Sequence, residues 1–423
     1  MTSEEIKNEV LAMGKRAREA ALKLATLSTY EKNRALLGMA SGLRNHKDEI
    51  LAANAEDLKA GEANELSAAL LDRLRLDEER LEAIAAGVEK VADLNDPVGE
   101  QLAAWQHRKG FQIEQVRVPL GVIGIIYESR PNVTSDAAVL CFKSGNATIL
   151  RGGSEAIHSN RAIAKALQAG GEAAGLPANA IQLIPFTDRE SVKVMAEMDE
   201  YLDLIIPRGG KGLIEAVVSM ARMPVIKHYD GICHVYVAAK ADLKKAVAIA
   251  VDSKTQKPSV CNALETLLVN ESVAEEFLPL MAKAMEAKNV ELRGDEATQA
   301  ILGDRVKTAT SEDWATEYLD YILAVKVVAS TEEAMAHINH YGSKHSDCIV
   351  TENHAEAETF LRGIDSACAF HNLSTRFSDG EEFGFGAEIG ISTDKLHARG
   401  PMALRELTSY QYRLRGDGQI KAS

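Results

Sequence analysis

Short β-branched runs alternate with helical stretches along most of this chain, and that rhythm restricts the fold more than any other feature of the sequence. Val122 to Tyr127, Ala147 to Leu150, Ile181 to Ile184, Leu204 to Ile206 and Val225 to Ile226 are separated by helical patterns near 134–143, 155–170, 189–197 and 211–222. A second series starts at His234 to Val237 and continues through Thr266 to Val269, Tyr321 to Val328 and Cys348 to Val350. Strand–helix alternation of this kind predicts parallel sheets covered by helices. Two series predict two doubly wound α/β domains, and 423 residues leave room for both cores. Ahead of them, residues 3 to about 95 read as helices, with Thr2-x-x-Glu5 and Ser28-x-x-Glu31 as capping boxes. The segments 112–118 and 408–414 alternate polar and apolar residues as half-exposed strands do, and the two are expected to pair outside both domains.

Charge and cysteine usage narrow the function classes. A net charge of −14 with no basic tract argues against a nucleic-acid surface. The apolar runs, such as Val122-Ile123-Gly124-Ile125-Ile126-Tyr127, fall far short of the ~20 residues a membrane-spanning helix needs. Thr2-Ser3-Glu4-Glu5-Ile6 lacks the basic start and apolar stretch of a signal peptide, so a cytoplasmic location is expected. Five cysteines without a Cys-x-x-Cys agree with a reducing compartment. The Asn-x-Ser/Thr triplets at Asn132, Asn270 and Asn372 then imply no glycosylation.

Two features carry candidate chemistry. Cys261 lies in Lys257-Pro258-Ser259-Val260-Cys261-Asn262, a polar loop opening into the apolar strand Leu267-Leu268-Val269, with Lys254 and Lys257 close by. Cations favour thiolate and the thiolate attacks, so the setting suits a nucleophile; a packed core cysteine is the competing reading. Leu150-Arg151-Gly152-Gly153-Ser154 and Ile206-Pro207-Arg208-Gly209-Gly210-Lys211-Gly212 each turn from a strand into a helix, offering backbone N–H groups to a phosphate. Neither matches G-x-G-x-x-G or a Walker loop, and a plain turn is the alternative.

Longer motifs join these features into one resemblance. Pro119-Leu120-Gly121-Val122-Ile123-Gly124-Ile125-Ile126, Asn132, the Lys143-Ser144-Gly145-Asn146-Ala147 turn, Arg151, Gly209-Gly210 and Cys261 resemble, in order and spacing, the aldehyde dehydrogenase superfamily. Tyr127-Glu128-Ser129-Arg130-Pro131-Asn132-Val133-Thr134, Tyr229-Asp230-Gly231-Ile232-Cys233-His234, the stretch His337 to Asp347 and Phe385-Gly386-Ala387-Glu388-Ile389-Gly390-Ile391-Ser392 are similar to its acyl phosphate-reducing branch. The resemblance spans nearly the whole chain.

What the resemblance implies is an aldehyde dehydrogenase-like α/β fold. Its parts are an NADPH-binding domain (1–105 and 120–233), a catalytic domain (234–403) and a small discontinuous oligomerisation β-flap (106–119 and 404–423). It makes Cys261 the nucleophile and Asn132 an oxyanion donor, although Asn132 by its local sequence reads as a helix cap. Where hydrolytic members carry a water-activating glutamate, this chain has His228, and acyl phosphate reduction needs no such base. His228 facing phosphate or substrate carboxylate competes with His228 as a hydrogen-bonded structural residue. The resemblance sets Arg151 against the adenosine ribose with no carboxylate in Gly152-Gly153-Ser154, which points to NADPH/NADP+. Gly209 and Gly210 join the cofactor site, and Glu317 corresponds to the glutamate that holds the nicotinamide ribose.

Arg130, Lys257, Arg376 and Arg399 are candidate cations for the substrate carboxylate. His337, His340 and His345 have spacings a metal can use, but the resemblance assigns them to a family-specific turn and no metal is expected. The implied reaction is NADPH-dependent reduction of L-glutamyl 5-phosphate to L-glutamate 5-semialdehyde and phosphate through a cysteine thioester, the second step of proline biosynthesis from glutamate. A homo-oligomer and a glutamate kinase as channelling partner are the implied associations. The rival readings are a hydrolytic aldehyde dehydrogenase, a coenzyme A-acylating one, and a non-catalytic scaffold for the kinase.

Overall fold

The structure is a computed structural model that describes residues 1–421. Residues 422 and 423, the end of the segment expected in the flap, lie outside the described residues. The chain forms two compact units. Unit 1 comprises Met1–Lys227, Phe385–Gly390 and the residues from Met402 onward; unit 2 comprises His228–Gly384 and Ile391–Pro401.

Unit 1 opens with five helices: α1 (Ser3–Leu24), α2 (Thr29–Asn45), α3 (Lys47–Ala63), α4 (Ala68–Leu74) and α5 (Glu78–Asp93). Both expected capping boxes form, with Thr2 and Ser28 accepting from the backbone of Glu5 and Glu31 and each glutamate reaching back. Two flap strands follow, β1 (Gln101–Gln106) and β2 (Gln112–Pro119). Then come β3 (Val122–Tyr127), α6 (Asn132–Lys143), β4 (Ala147–Gly152), α7 (Ile157–Ala173), β5 (Ile181–Leu183), α8 (Arg189–Glu197), β6 (Leu204–Arg208) and α9 (Lys211–Met220). The sheet is parallel, in the order β5-β4-β3-β6. Every residue of β3 is buried, as a strand covered on both faces requires. Val225, read from the sequence as part of a strand, contributes a single parallel bridge to Ile205. The helical arm packs against α7 so tightly that a Cβ at Gly42 would stand 2.3 Å from the Ala166 carbonyl oxygen. Only glycine permits that approach.

Unit 2 contains β7 (Cys233–Val237), α10 (Leu243–Thr255), β8 (Leu264–Asn270), α11 (Glu271–Glu286), β9 (Glu291–Gly294), α12 (Glu296–Leu302), β10 (Lys307–Thr308), β11 (Ile322–Val328), α13 (Thr331–Tyr341), β12 (Ser346–Val350), α14 (His354–Gly363) and β13 (Cys368–His371). Its seven strands are parallel in the order β10-β9-β11-β8-β7-β12-β13. Strand β9 escapes sequence reading because its four residues include Glu291 and Arg293, which pair with each other at 2.9 Å instead of showing an apolar run. Two short strands, β14 (Gly390–Ser392) and β15 (Gly400–Met402), pair separately, and the chain's last strand is β16 (Thr408–Arg415).

The flap is an antiparallel sheet in the order β1-β2-β16. The expected pairing of 112–118 with 408–414 is present, from Thr408 opposite Pro119 to Arg415 opposite Gln112. Strand β1 is an addition, carried by Leu102-Ala103-Ala104-Trp105, which has little strand propensity of its own. Among the described residues no helix is long and apolar enough to cross a membrane.

Candidate active site

In unit 2 the turn between α10 and β8 presents Cys261. Asp242 caps α10 by accepting from the backbone N–H groups of Lys244 and Lys245, and the helix ends at Thr255 ahead of Pro258. Cys141, Cys233, Cys348 and Cys368 are buried, whereas Cys261 is partly exposed. Its surroundings hold the backbone firmly. Asn262 donates to the Ser378 carbonyl at 2.9 Å and to that of Arg376 at 3.3 Å, and its own carbonyl accepts from Thr375 Oγ1 at 2.7 Å. The Cys233 thiol donates to the Cys261 carbonyl at 3.3 Å.

Gly231 closes the other side of the turn. A Cβ there would lie 1.9 Å from the Cys261 carbonyl oxygen and 2.4 Å from its Cα, so no side chain fits. The Gly231 N–H donates to Glu317 Oε1 at 2.8 Å. Glu317 and Cys261 are therefore brought to one glycine, although 56 positions separate them in the sequence (317 − 261).

His228 donates from Nδ1 to the Ile391 carbonyl at 3.0 Å, which fixes its proton on that nitrogen because a carbonyl only accepts. Its ring stands edge-on to His345 at 5.7 Å. Burial pushes His345 down to about 3, so it is neutral at ordinary pH, with Nδ1 2.9 Å from Ser346 Oγ and 3.7 Å from Cys233 Sγ. Polar contacts thus run from His345 through Cys233 to the Cys261 carbonyl, with His228 set against His345 by a ring contact. His337 is likewise held down to about 3 by burial, beside His234, Trp314 and Tyr341. Among the described residues no group of three or more His, Cys, Asp or Glu side chains could hold a metal ion.

The candidate cations separate. Lys257 is exposed and starts the Cys261 turn, and Arg376 joins that turn through Gln256, to which its Nε donates at 2.8 Å. Arg399 donates to the backbone and carboxylate of Asp365 at 2.9 Å, alongside Lys344 at 3.1 Å and Lys395 at 3.0 Å. Three cations share this one carboxylate, which engages Arg399 but balances only part of their charge. Lys254, expected to favour a Cys261 thiolate, instead meets Glu265 Oε2 at 2.7 Å with both side chains fully buried. Burial pushes Glu265 up to about 7 and Lys254 down, and their contact opposes both shifts. Sequence reading passed over Glu265; its signal is a lone carboxylate in an apolar strand, which demands a buried partner.

Unit 1 holds the other candidates. Arg130 is exposed on the loop between β3 and α6. Asn132 is the first residue of α6 and its side chain caps nothing; the N-cap is Pro131, without a side-chain bond. The cap expected from local sequence is thus corrected, since the helix begins at Asn132 itself and not near Thr134. The Asn132 amide Nδ2 donates to Asp136 Oδ2 at 2.8 Å.

Arg151, at the end of β4, donates to the Thr187 carbonyl at 2.7 Å and to that of Gly152 at 3.2 Å, while its buried Nε has no hydrogen-bond partner. Burial pulls the guanidinium down, and the carboxylates of Glu155, Glu128 and Asp188 oppose this. Gly152-Gly153-Ser154 supply no carboxylate, but Glu155 follows them directly, and Glu128, just after β3, and Asp188 approach from elsewhere. Gly209 and Gly210 lead into α9, and the Gly210 N–H donates to Glu128 Oε2 at 3.0 Å, so this helix N-terminus already holds an anionic group. A Cβ at Gly210 would meet nothing within 4 Å. Beside these turns lies a cavity of about 400 Å³ whose lining includes Asp57, Glu128, Ser129, Ser154, Glu155 and His158.

The aldehyde dehydrogenase family model matches residues 2–303. The γ-glutamyl phosphate reductase of Moorella thermoacetica is 56% identical over 413 residues, covering 98% of this chain and 99% of that protein. The crystal structure of γ-glutamyl phosphate reductase from Thermotoga maritima superposes with a TM-score of 0.96 at 46% identity, covering 98% of this chain and 100% of that one. An engineered glycolyl-CoA reductase with bound NADP+ shares the fold at 14% identity, TM-score 0.67 and 96% coverage of both chains.

Proposed function

This chain belongs to the aldehyde dehydrogenase family and, within it, to the γ-glutamyl phosphate reductases, which makes it an oxidoreductase; from that premise we propose that it reduces L-glutamyl 5-phosphate to L-glutamate 5-semialdehyde and phosphate with NADPH, through a thioester on Cys261. In this reading it acts in the cytoplasm at the second step of proline biosynthesis from glutamate, taking its unstable substrate from a glutamate kinase.

The observation that carries the proposal is the Cys261 turn. A single partly exposed thiol, backed by Gly231 and tied by it to Glu317, suits a nucleophile better than core packing. The Cys261 thiolate attacks the acyl carbon, a C–S bond forms, and the C–O bond to phosphate breaks. Asn132 is proposed to donate to the oxyanion of this step, a role typically worth ~3 kcal/mol. After reduction, the hemithioacetal loses its hydroxyl proton and its C–S bond breaks, which frees the aldehyde and returns the thiolate.

The residues present fit a nicotinamide nucleotide. The unpartnered Arg151 Nε and the open space at Gly210 suit an anionic ligand, and the acidic cavity nearby suits hydroxyl donors. Arg151, Gly209 and Gly210 would hold the nucleotide, and Glu317 its nicotinamide ribose. When bound, NADPH supplies hydride to the thioester carbonyl.

For the substrate carboxylate, Lys257, on the Cys261 turn, and Arg376, joined to that turn through Gln256, are favoured; Arg130 remains a candidate, and Arg399 is disfavoured by its bonds to Asp365. His228 stands as a positioning or phosphate-facing group in place of the hydrolytic glutamate. Glu265 does not replace that base, because it is held by Lys254 and by the Leu319 N–H. The flap is proposed to join copies of the chain, since it exposes Trp105, Tyr410, Tyr412 and Leu414.

The test is the reaction run backwards: reduction of NADP+ by glutamate 5-semialdehyde, with and without phosphate and with and without coenzyme A. Dependence on phosphate alone supports the proposal. Dependence on coenzyme A, or on neither, would replace it with an acylating or hydrolytic dehydrogenase. Full activity without Cys261 would overturn the thioester.

A further inference from the structure

The Asn132 amide has two N–H groups, and α6 leaves both available because its cap lies at Pro131. One of them donates to Asp136 Oδ2 at 2.8 Å, a full helical turn away at i+4. An ionised carboxylate only accepts, so it is the nitrogen side of the amide that faces Asp136, and the flip of the amide is set by this contact. We propose that Asp136 is the positioning residue for Asn132, holding one amide N–H so that the other can donate to the oxyanion of the reaction. The inference rests on the reading of Asn132 as an oxyanion donor.

The physical case has three parts. Terminal amide torsions are broad and roughly two-fold, so an untethered Asn132 would spend part of its time with its carbonyl oxygen where the donor belongs, and that oxygen repels an oxyanion. Asp136 is half-buried, an unfavourable place for a carboxylate without a specific partner, and the hydrogen bond to Asn132 is that partner. A full negative charge behind the amide would weaken its help to an oxyanion; the nearby Arg208 cation offsets that charge.

The test uses the full chain and four variants, Asn132→Ala, Asp136→Ala, Asp136→Asn and Asn132→Ala/Asp136→Ala, assayed in the phosphate-dependent oxidative direction. Asp136→Ala should lower kcat about tenfold and leave KM for semialdehyde and phosphate within about twofold, the mark of lost transition-state positioning. Asp136→Asn, whose amide oxygen can accept the same N–H, should recover most of the rate. The double variant should be no slower than Asn132→Ala alone, because the tether has no value without the amide. Alkylation of Cys261 by iodoacetamide should proceed at the wild-type rate in all four.

The inference is overturned if Asn132→Ala is impaired but Asp136→Ala is not, if Asp136→Asn is as slow as Asp136→Ala, or if the two alanine effects multiply. An Asn132→Ala protein with wild-type kcat would instead sink the oxyanion reading itself, and this inference with it. Should Asp136→Ala fail to fold, Asp136→Ser, too short to reach the amide, takes its place in the same cycle.

Discussion

Position 261 is where sequence and structure bear most directly on chemistry. A serine hydroxyl without an adjacent base is a far weaker nucleophile than a thiolate, so Cys261→Ser should lose nearly all turnover and still bind NADPH. More than about a tenth of wild-type kcat, a loss of only about 1.4 kcal/mol, would be too much for a covalent mechanism. Position 151 tests the cofactor. With Glu155, Glu128 and Asp188 already around it, Arg151→Glu would leave an acidic patch with Arg189 as the cation beside it. The kcat/KM for NADPH should fall at least about tenfold more than that for NADH, because a 2′-phosphate is repelled and a 2′-hydroxyl is not; an unchanged ratio would show that Arg151 does not read the 2′ position. Cys261, Asn132 and Arg151 stand out in the sequence as candidates because each falls in a motif, and Glu317 only through the resemblance. Asp136 does not, because its meaning comes from its contact with Asn132, which no local pattern announces; Glu265 shows in the sequence as a lone carboxylate in an apolar strand, but its partners Lys254 and the Leu319 N–H do not.

The elements show where pattern reading succeeds and where it stops. Apolar runs located β3, β4, β6, β7, β8 and β12, since buried parallel strands must be apolar along their length. Strands β1, β9 and β10 were invisible for the opposite reason: alanine, charge or shortness hides them, and only their neighbours in the sheet make them strands.

Helix α13 and the segment leading into β12 also carry a pH dependence. His345 and His337 sit at about 3 by burial against an ordinary value of 6.5, so the native state keeps them neutral while the unfolded chain takes up protons below about 6.5. Their folded pKa values are depressed, and the stability they confer is therefore present above about 6.5 and lost as the pH falls towards about 3. Each histidine should contribute a slope of about 1.4 kcal/mol per pH unit within that window. Trp314 packs edge-on against His337 at 5.6 Å and reports on unit 2 once Trp105 is replaced by phenylalanine. Urea unfolding followed by its fluorescence from pH 7 to pH 4 should show the loss, and His337→Gln with His345→Gln should flatten it. An unchanged slope in that variant would show that these imidazoles do not titrate as described.

At the scale of the whole molecule, two parallel sheets were legible because the alternation of elements is periodic over hundreds of residues, and the flap because 112–118 and 408–414 alternate polar and apolar residues. The flap makes a claim about assembly. Trp105 and Tyr412 meet edge-to-face at 6.1 Å on exposed strands, and Trp105→Glu with Tyr412→Glu should shift the sedimentation coefficient to that of a monomer; an unshifted value would place the contact between copies elsewhere. The central claim, an acyl phosphate chemistry without a water-activating base, has a sharper test. Wild-type protein is mixed with glutamate 5-semialdehyde and NADP+ in phosphate-free buffer, and NADPH is followed in time against the concentration of active sites. The account predicts one burst, about one NADPH per site, followed by little turnover, because the Cys261 thioester waits for a nucleophile that water does not supply; added phosphate restores steady turnover. Steady production of NADPH and glutamate in the absence of phosphate would contradict it.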